Sequence, residues 1–395
     1  MQSVVVTGTG VVSALGGDTA ATWGAVLEGR SAVRTWDDLA EEGFPLHTAC
    51  RVDDASWGPA GPPDPARRGR ELGLRAASEA LGAAGLLDDS GGLVGTLDPA
   101  RVACFVGTTM GESAVFEGAA ERGSFDLAEG GGQVFAESIG AHYGLSGPRR
   151  TFGTACAAGN YAIAAAARAV ASGRVDVAIA GGVEPFSRIA MLGFARMRAM
   201  APHGCAPFGR VRRGMTLGEG AGFLVLQRRT DADVAGARTL ARIGSIGLAS
   251  DAYHPTAPRE DGTHMVAAMR SGLERTGLAP EDVGWVSAHG TGTQRSDAVE
   301  ALSLRAVFGD PPPVSSVKGA IGHTLGAATA IEAALAVCAL REGVLPPNAG
   351  ADEIDDALEV DVVQSARPAP GLGWVMNCGF AFGGLNSALL LGRAA

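Results

Sequence analysis

The sequence predicts a layered α/β protein built from two related halves. With 46% hydrophobic and 19% charged residues over 395 positions, the chain can bury one large core or two fused cores. Apolar strand-like runs alternate with alanine-rich helical stretches along its whole length. Because strands that are apolar throughout are typical of sheets covered on both faces, we expect buried parallel strands with helices on either side.

The predicted strands are short runs rich in β-branched residues that end at glycine or polar residues. In chain order they cover residues 3–8, 101–107, 175–182, 222–227, 241–250, 283–290, 374–380 and 387–393.

Two pairs of segments indicate an internal repeat. The helix near 70–85 and the following ARVACFVGTTMGES resemble the later MVAAMRSGLERTGL and DVGWVSAHGTGTQRS. The loop and helix FGTACAAGNYAIAAAARAVASG similarly resemble VKGAIGHTLGAATAIEAALAV. The repeat predicts an N-terminal half over residues 1–235 and a C-terminal half over 236–395.

Charge and cysteine usage exclude several classes of protein. A formal net charge of −10 argues against non-specific nucleic-acid binding, which needs clustered cations. No run approaches the roughly 18 apolar residues that a membrane-spanning helix requires. The six cysteines form no CxxC pair, which argues against structural zinc and against a disulfide framework. We therefore expect a cytoplasmic protein with reduced thiols and no membrane partner.

Cys156 lies where a nucleophile would be placed. It follows a β-branched run and precedes an alanine-rich helix that ends at Gly173. Unpaired N–H groups at a helix N-terminus favour a thiolate, and one of them can also hydrogen-bond a thioester oxygen as it becomes an oxyanion. The same stretch also fits a buried structural cysteine, so the sequence around Cys156 leaves both interpretations open.

Two histidines and the single lysine point to the same site. His289 and His323 each stand beside a glycine after a strand-like run, and such loops converge on a crevice in α/β folds. Of the 32 basic residues only Lys318 is a lysine, and it lies five positions before His323. A compact ammonium is not interchangeable with a guanidinium in a tight polar cluster.

The motifs that contain these residues resemble those of a known family. TACAAG, AHGTGT, SVKGAIGHTLGAATAIE and GFAFGGLNSALL are similar to the signatures of the β-ketoacyl-acyl-carrier-protein synthases (ketosynthases of types I and II), the decarboxylating condensing enzymes of the thiolase superfamily. The resemblance spans essentially the whole chain. It implies the thiolase fold, with five α-β-α-β-α layers and two duplicated halves, and an active site where the halves meet.

The resemblance also implies a role for each site residue. Cys156 would accept the acyl group, His289 and His323 would bind the malonyl thioester and the enolate formed from it, and Lys318 would hold the histidine cluster. The remaining roles are Glu300 as the ionic partner of Lys318, Glu332 in the same polar pocket, the N–H groups of Cys156 and Phe382 as the oxyanion hole, and Met110, Phe194, Phe380 and Phe382 as the acyl pocket and gate.

The implied reaction is a decarboxylative Claisen condensation of a Cys156-bound acyl group with malonyl-acyl-carrier protein, giving a 3-oxoacyl-carrier protein. No metal and no dissociable cofactor are implied, because phosphopantetheine arrives on the carrier protein. We expect its acidic surface to meet Arg67, Arg68, Arg70 and Arg212. We also expect a homodimer, or a heterodimer with a related ketosynthase-like subunit.

The chain departs from the family pattern in places that bear on substrate scope. Ala381 replaces a glycine between the two gate phenylalanines, which predicts a stiffer gate. The usual RPFD is APFG here, so Ala206 and Gly209 lack a salt-bridging pair. With the arginine-for-lysine bias, these changes favour a type II polyketide or polyene pathway over fatty-acid synthesis.

Other functions remain to be weighed. A ketosynthase-like acyltransferase, or a thiolase with Cys378 as its base, would share the fold and the nucleophile. The active subunit of an obligate heterodimer with a chain-length factor would share the reaction as well. A dinucleotide-binding enzyme is suggested by TGTGVVSALG, which reads GxGxxS rather than GxGxxG and lacks the acidic residue that binds ribose.

Overall fold

The fold is described from a computed structural model that covers residues 3–119, 123–124 and 126–394. Its strands are β1 Val4–Ser13, β2 Arg34–Thr35, β3 Thr48–Ala49, β4 Val102–Gly107, β5 Arg149–Phe152, β6 Val177–Glu184, β7 Gly220–Arg228, β8 Ala241–Ser250, β9 Val283–Ser287, β10 Val314–Ser315, β11 Val344–Leu345, β12 Arg367–Pro368, β13 Trp374–Ala381 and β14 Leu385–Arg393. All of the strands predicted from the sequence are present, whereas β5 and the two-residue strands β2, β3, β10, β11 and β12 were not predicted.

The α-helices connect these strands. In the described residues they are α1 Thr19–Leu27, α2 Asp37–Glu41, α3 Arg68–Ala83, α4 Ala114–Glu117, α5 Leu127–Gly130, α6 Gln133–His142, α7 Ala158–Ala171, α8 Arg188–Arg196, α9 Arg229–Val234, α10 Thr263–Thr276, α11 Gln294–Phe308, α12 Lys318–Ile321 and α13 Ala328–Glu342. Short 3₁₀ turns at Ala155–Ala157 and Leu325–Ala327 lead into α7 and α13. None of the helices in this part of the chain has the length and apolarity to cross a bilayer.

The strands of the two halves follow the same order. The ten-stranded sheet runs β10-β9-β13-β14-β8-β1-β7-β6-β4-β5, so the first strand of each half, β8 or β1, lies at the centre. Moving outwards, the N-terminal half continues with β7, β6, β4 and β5, and the C-terminal half with β14, β13, β9 and β10. Counted within this sheet, these are the fifth, fourth, second and third strands of each half. The halves join where β1 pairs antiparallel with β8 over Val4–Val6 and Ala241–Ile243. The predicted boundary after residue 235 falls between β7 and β8.

The sheet is mixed, which corrects the expectation of parallel strands. Pairs β4–β5, β4–β6, β9–β10 and β9–β13 are parallel. The strands around the centre pair antiparallel, including β1–β7, β6–β7, β13–β14 and β8–β14. An apolar run reports only that both faces of a strand are buried, and it carries no information about strand direction.

Three apolar clusters define the helix and strand layers. Alternate residues of β7 face opposite sides: Leu224 and Leu226 belong to the central cluster, and Phe223 and Val225 to the outer cluster of the N-terminal half. Helices α7 and α13 lie in the centre between the halves, α3 and α6 cover the outside of the N-terminal half, and α10 and α11 cover the other outer face. This is the predicted five-layer arrangement.

Glycine allows helices and strands to approach closely at two places. A Cβ at Gly10 of β1 would lie 1.9 Å from the carbonyl oxygen of Ala76 in α3, and one at Gly8 would lie 2.0 Å from that of Ala80. The glycines of TGTG therefore lie within a strand and admit helix α3, which removes the observation that suggested a dinucleotide-binding loop. Between the central helices, a Cβ at Gly159 would lie 2.6 Å from the Ala330 nitrogen.

We predict that Gly10→Ala lowers the free energy of unfolding by about 1–3 kcal/mol, the usual cost of overpacking, because the new methyl group displaces α3. The measurement is the midpoint of unfolding in urea. Gly24→Ala is the matched control, since no atom lies within 4 Å of its added Cβ in α1. It should leave the midpoint unchanged or raise it. Equal midpoints for both variants would contradict the packing argument.

Candidate active site

Cys156 lies in a strained turn between β5 and α7. The preceding residue, Ala155, has a positive φ of 47°, a conformation that costs a side-chain-bearing residue about 1–2 kcal/mol. The turn directs the thiol towards the junction of the two halves, where Cys156 is only 7% exposed. The backbone N–H groups of Cys156 and Phe382 both act on the thiol. Two N–H donors at a nucleophile form the geometry of an oxyanion hole.

Burial dominates the protonation of this cysteine. It raises the pKa of the Cys156 thiol to about 12, and Glu184 adds to the increase. The Lys318 ammonium and the two N–H groups act in the opposite direction but do not outweigh burial. The free enzyme therefore carries a thiol, which differs from the thiolate favoured by a helix N-terminus. The reason is that the turn is closed off from water. The free energy that a thiolate loses by desolvation there exceeds the stabilisation that Lys318 and the two N–H groups provide.

The two histidine rings pack edge to face and line the same cavity as the thiol. His289 follows β9 and His323 follows α12, and their ring centroids are 5.5 Å apart at an angle of 82°. Burial, reinforced by the charge of Lys318, lowers the pKa of both imidazoles well below 6.5. Both rings are therefore neutral at physiological pH.

The tautomer of His323 is set by the backbone. The N–H of Leu325 donates to Nδ1 of His323 over 3.2 Å, so Nδ1 is the acceptor and the ring proton lies on Nε2. Among the described residues, Nδ1 of His289 has no hydrogen-bond partner. His323 thus offers a fixed N–H donor to a bound oxygen.

Lys318 pairs with Glu332, which corrects the assignment of Glu300 as its partner. The Lys318 Nζ and Glu332 Oε1 atoms are 2.5 Å apart, and both side chains are 1% exposed. Their sequence separation did not reveal the pairing because it depends on how α12 packs on α13. Glu300 instead accepts the backbone N–H groups of His289 and Gly290 at 2.7 and 2.8 Å, and burial raises its pKa to about 8. Glu300 therefore holds the histidine loop rather than the lysine.

A cavity of about 720 Å³ connects this cluster to solvent. Cys156, His289 and His323 line its inner end, and so do three of the four predicted pocket residues, Phe194, Phe380 and Phe382.

Met110 is not among the cavity-lining residues, which differs from the prediction. It packs with the apolar cluster that contains Cys156. The backbone N–H of Met110 donates to Glu184 Oε1 over 2.8 Å, and this hydrogen bond holds the Thr108–Met110 loop.

Phe382 has the contacts of a gate. Its ring lies 5.7 Å from that of Phe194, and the next N–H, of Gly383, donates to Pro255 O over 2.8 Å. Ala381 has φ −94° and ψ 160°, an extended conformation open to any residue. The methyl group therefore introduces no backbone strain, and the conformational freedom of this loop resides in Gly383 and Gly384, both at positive φ.

Three of the four predicted docking arginines are committed to contacts inside the protein. Arg68 binds the buried Glu219 at 2.7 Å, Arg70 binds Glu129, and Arg212 binds Asp355 at 2.9 Å. Their side chains are 8–12% exposed and offer little surface to a partner, which argues against the predicted docking role of Arg68, Arg70 and Arg212.

Only Arg67 of the predicted set is exposed. Three exposed arginines line the cavity, Arg198, Arg213 and Arg295. Arg295 pairs with Glu260 at 2.8 Å, whereas Arg198 and Arg213 have no ion-pair partner in the described residues. Both lie in basic stretches visible in the sequence, but exposure at the cavity depends on the fold.

Cys378, the alternative thiolase base, is fully buried in the apolar cluster beneath α10 and α11 and does not line the cavity. Burial raises its pKa well above 9.0. A thiol in that position has no access to substrate.

The fold and this set of side chains define a condensing acyltransferase of the thiolase type. A sequence model of "Beta-ketoacyl synthase, N-terminal domain" matches residues 1–232, and one of "Beta-ketoacyl synthase, C-terminal domain" matches residues 240–352. The chain belongs to the β-ketoacyl synthase family.

Relatives span the whole chain. It is 32% identical to "3-oxoacyl-[acyl-carrier-protein] synthase 2" of Rhizobium meliloti, over 100% of this chain and 99% of that one. It is 35% identical to "Nodulation protein E" of Rhizobium leguminosarum bv. trifolii, over 98% of both. A chain of the solved structure "The ishigamide ketosynthase/chain length factor" superimposes with a TM-score of 0.90 at 32% identity, covering 100% of both chains.

We predict that alkylation of Cys156 by iodoacetamide accelerates by about tenfold per pH unit from pH 7 to 9.5, because the thiolate fraction keeps rising below a pKa near 12. Mass spectrometry of the Cys156 peptide measures the rate. In urea-unfolded protein the same cysteine should level off near pH 9, as an ordinary thiol does. A plateau below pH 8 in the folded protein would contradict the burial argument.

Proposed function

We propose that this protein catalyses the decarboxylative Claisen condensation of an acyl group on Cys156 with malonyl-acyl-carrier protein. The observation that carries the proposal is the convergence of a thiol from one half and two neutral imidazoles from the other on the inner end of one cavity. A thiol accepts an acyl group, and neutral N–H donors stabilise an enolate without a general base.

The first step is acyl transfer. The Cys156 sulfur attacks the carbonyl carbon of an acyl thioester, and the N–H groups of Cys156 and Phe382 bind the resulting oxyanion. The carbon–sulfur bond to the carrier then breaks, and the proton released by Cys156 ends on the departing thiol. Because burial raises the pKa of the free thiol to about 12, we propose that the thiol loses its proton as the sulfur attacks the carbonyl carbon.

The second step releases carbon dioxide. The malonyl thioester oxygen accepts a hydrogen bond from Nε2–H of His323 and another from His289. The bond to the carboxylate breaks, carbon dioxide leaves, and its electron pair forms the enolate held by these donors. Their low pKa keeps the rings neutral, so they donate hydrogen bonds without protonating the carbon.

In the third step the enolate carbon attacks the acyl-Cys156 carbonyl. The oxyanion hole binds the second tetrahedral intermediate, which collapses to the 3-oxoacyl thioester and expels the Cys156 sulfur. The thiolate then takes a proton and restores the free enzyme. The phosphopantetheine arm is part of the carrier substrate, so the sequence of steps uses no dissociable cofactor and no metal.

The pathway and assembly are part of the same proposal. The likeness to a ketosynthase/chain length factor structure, together with the departures in the APFG and FAFGG motifs, favours type II polyketide or polyene synthesis over fatty-acid synthesis. We propose a dimer, either of two copies of this chain or with a chain-length-factor subunit. We place the enzyme in the cytoplasm, where its six free cysteines would stay reduced.

The decisive experiment follows both half-reactions by intact-protein mass spectrometry. The protein is incubated with a panel of acyl-carrier-protein thioesters and then with malonyl-carrier protein. We expect an acyl mass increase, followed by release of a β-keto product two carbons longer. The Cys156→Ala variant should not gain acyl mass, and His323→Ala should load but extend at least about a hundredfold more slowly.

The outcomes separate the alternatives. Loading without extension, restored by adding a chain-length-factor subunit, indicates an obligate heterodimer. Loading without extension under all conditions indicates an acyltransferase. An absence of acylation at Cys156 with every thioester would refute the proposal.

We propose that Arg198 and Arg213, at the opening of the cavity, contact the acidic carrier protein. The exposed Met197 beside them also lines the opening, so the surface combines positive charge with apolar area. Such a rim steers an acidic partner towards the cavity.

We predict that Arg198→Glu/Arg213→Glu raises KM for acyl-carrier protein by roughly tenfold, because each exposed ion pair contributes up to about 1 kcal/mol. Loading from acyl-pantetheine, which lacks the protein, should be unchanged. Arg238→Glu is the control, since Arg238 is exposed but does not line this cavity. An equal rise in KM for both thioesters would show that the two arginines act on the arm instead.

A further inference from the structure

The chain makes the same strained turn twice, once in each half. In the first turn Ala155, with φ 47°, precedes Cys156 and helix α7. In the second, Leu325, with φ 42°, precedes Gly326 and helix α13. Gly326 therefore occupies the place in the C-terminal half that Cys156 occupies in the N-terminal half.

The second turn binds a carboxyl group supplied by the protein itself. Burial raises the pKa of this group, Glu184, to about 7, and the backbone N–H groups that it accepts oppose the rise. The N–H of Gly326 donates to Oε2 of Glu184 over 2.7 Å, and the N–H of Thr109 donates to the same oxygen over 2.7 Å. The other oxygen accepts the N–H of Met110 over 2.8 Å. Glu184 is fully buried at the end of β6 and has no ion-pair partner in the described part of the chain. Backbone N–H groups thus hold this carboxylate at the turn.

This carboxylate lies next to the contact that fixes His323. Hydrogen bonds flank Leu325 on both sides: its own N–H binds Nδ1 of His323, and the following N–H, of Gly326, binds Glu184. A positive φ at leucine is costly, so it persists only where the surroundings enforce it. If the Glu184 contact is lost, we expect Leu325 to relax to a negative φ and its N–H to move away from the imidazole.

We propose that Glu184 is a positioning residue that fixes His323 as the Nε2–H tautomer by holding Leu325 in its strained conformation. The same side chain also accepts the N–H groups of Thr109 and Met110, and Met110 packs in the apolar cluster that contains Cys156. Glu184 therefore connects the turn that follows His323 to the loop that packs near Cys156. The proposal rests on the condensation described above, in which His323 serves decarboxylation and not acyl loading.

The test variant is Glu184→Gln, which keeps the shape but turns one acceptor oxygen into an N–H donor that faces backbone N–H groups. Because burial raises the pKa of Glu184 to about 7, the variants are compared at pH 8, where the carboxylate predominates. Loss of a charge-assisted hydrogen bond of this kind corresponds to about a tenfold to hundredfold effect. We expect kcat for malonyl-carrier decarboxylation to fall by that factor at unchanged KM, while acyl loading of Cys156 stays within about threefold. In ¹⁵N NMR spectra, the His323 ring should lose its single Nε2–H tautomer.

Glu112→Gln is the matched control. Glu112 is also fully buried and accepts two backbone N–H groups, those of Gly69 and Arg70, but it does not contact the His323 turn. This variant should leave decarboxylation and the His323 spectrum unchanged. Should Glu184→Gln fail to fold, Glu184→Asp keeps the carboxyl group but withdraws it from Gly326. For this variant too, we expect the rate of decarboxylation to fall by more than the rate of acyl loading.

Three results would overturn the proposal: a Glu184 variant that keeps the single tautomer, one that keeps full decarboxylation, or equal losses in loading and decarboxylation. The NMR readout needs no substrate, so it reports on Glu184 even if the wild-type protein does not decarboxylate malonyl-carrier protein. A wild-type protein that does not decarboxylate malonyl-carrier protein would refute the proposed reaction and not the positioning role of Glu184.

Discussion

The buried ion pair between Lys318 and Glu332 is the constraint on which the site depends. Taking two charges out of water costs several kcal/mol per ion, so each must have its partner, and the pair fixes how α12 packs on α13. Burial is the main influence on the protonation of the neighbouring side chains, and the ammonium acts on them as well. It lowers the pKa of both histidines, and it opposes the rise in the pKa of Cys156 caused by burial. A compact ammonium fits this enclosed position, which explains why lysine occurs here in a chain whose other cations are arginines.

Buried carboxyl groups hold the loops around this pair in a fixed shape. Glu300 accepts the N–H groups of His289 and Gly290, Asp297 accepts those of Phe208, Thr291 and Gly292, and Glu184 binds the turn that follows His323. Loops that line a narrow cavity cannot satisfy all of their backbone donors with water, and each buried N–H without a partner is costly. A carboxylate that takes two or three of them removes this cost and fixes the donors before substrate binds, which is the condition for electrostatic stabilisation of an enolate.

Function arises from the differences between two otherwise similar halves. Both halves have the same strand order and the same strained turn, yet only the first turn carries a thiol, whereas its counterpart has Gly326. Conversely, His323 stands in the second turn where the first has Gly153. The nucleophile and the hydrogen-bond donors therefore come from different halves. They meet only because α7 and α13 pack together at the centre, and glycine at position 159 permits that close approach.

The sequence by itself determined eight of the strands, the repeat and the choice of Cys156, His289, Lys318 and His323 as candidate site residues. These features can be read along the chain: a short apolar run, a repeated motif or a single lysine is visible without knowing what lies across the fold. Strand direction, the pairing of Lys318 with Glu332 instead of Glu300, the burial of Arg68, Arg70 and Arg212, and the part played by Glu184 were decided by the tertiary structure alone. Each depends on which side chains and backbone groups from distant segments share a space closed to water, because desolvation is what forces a buried charge to find its partner.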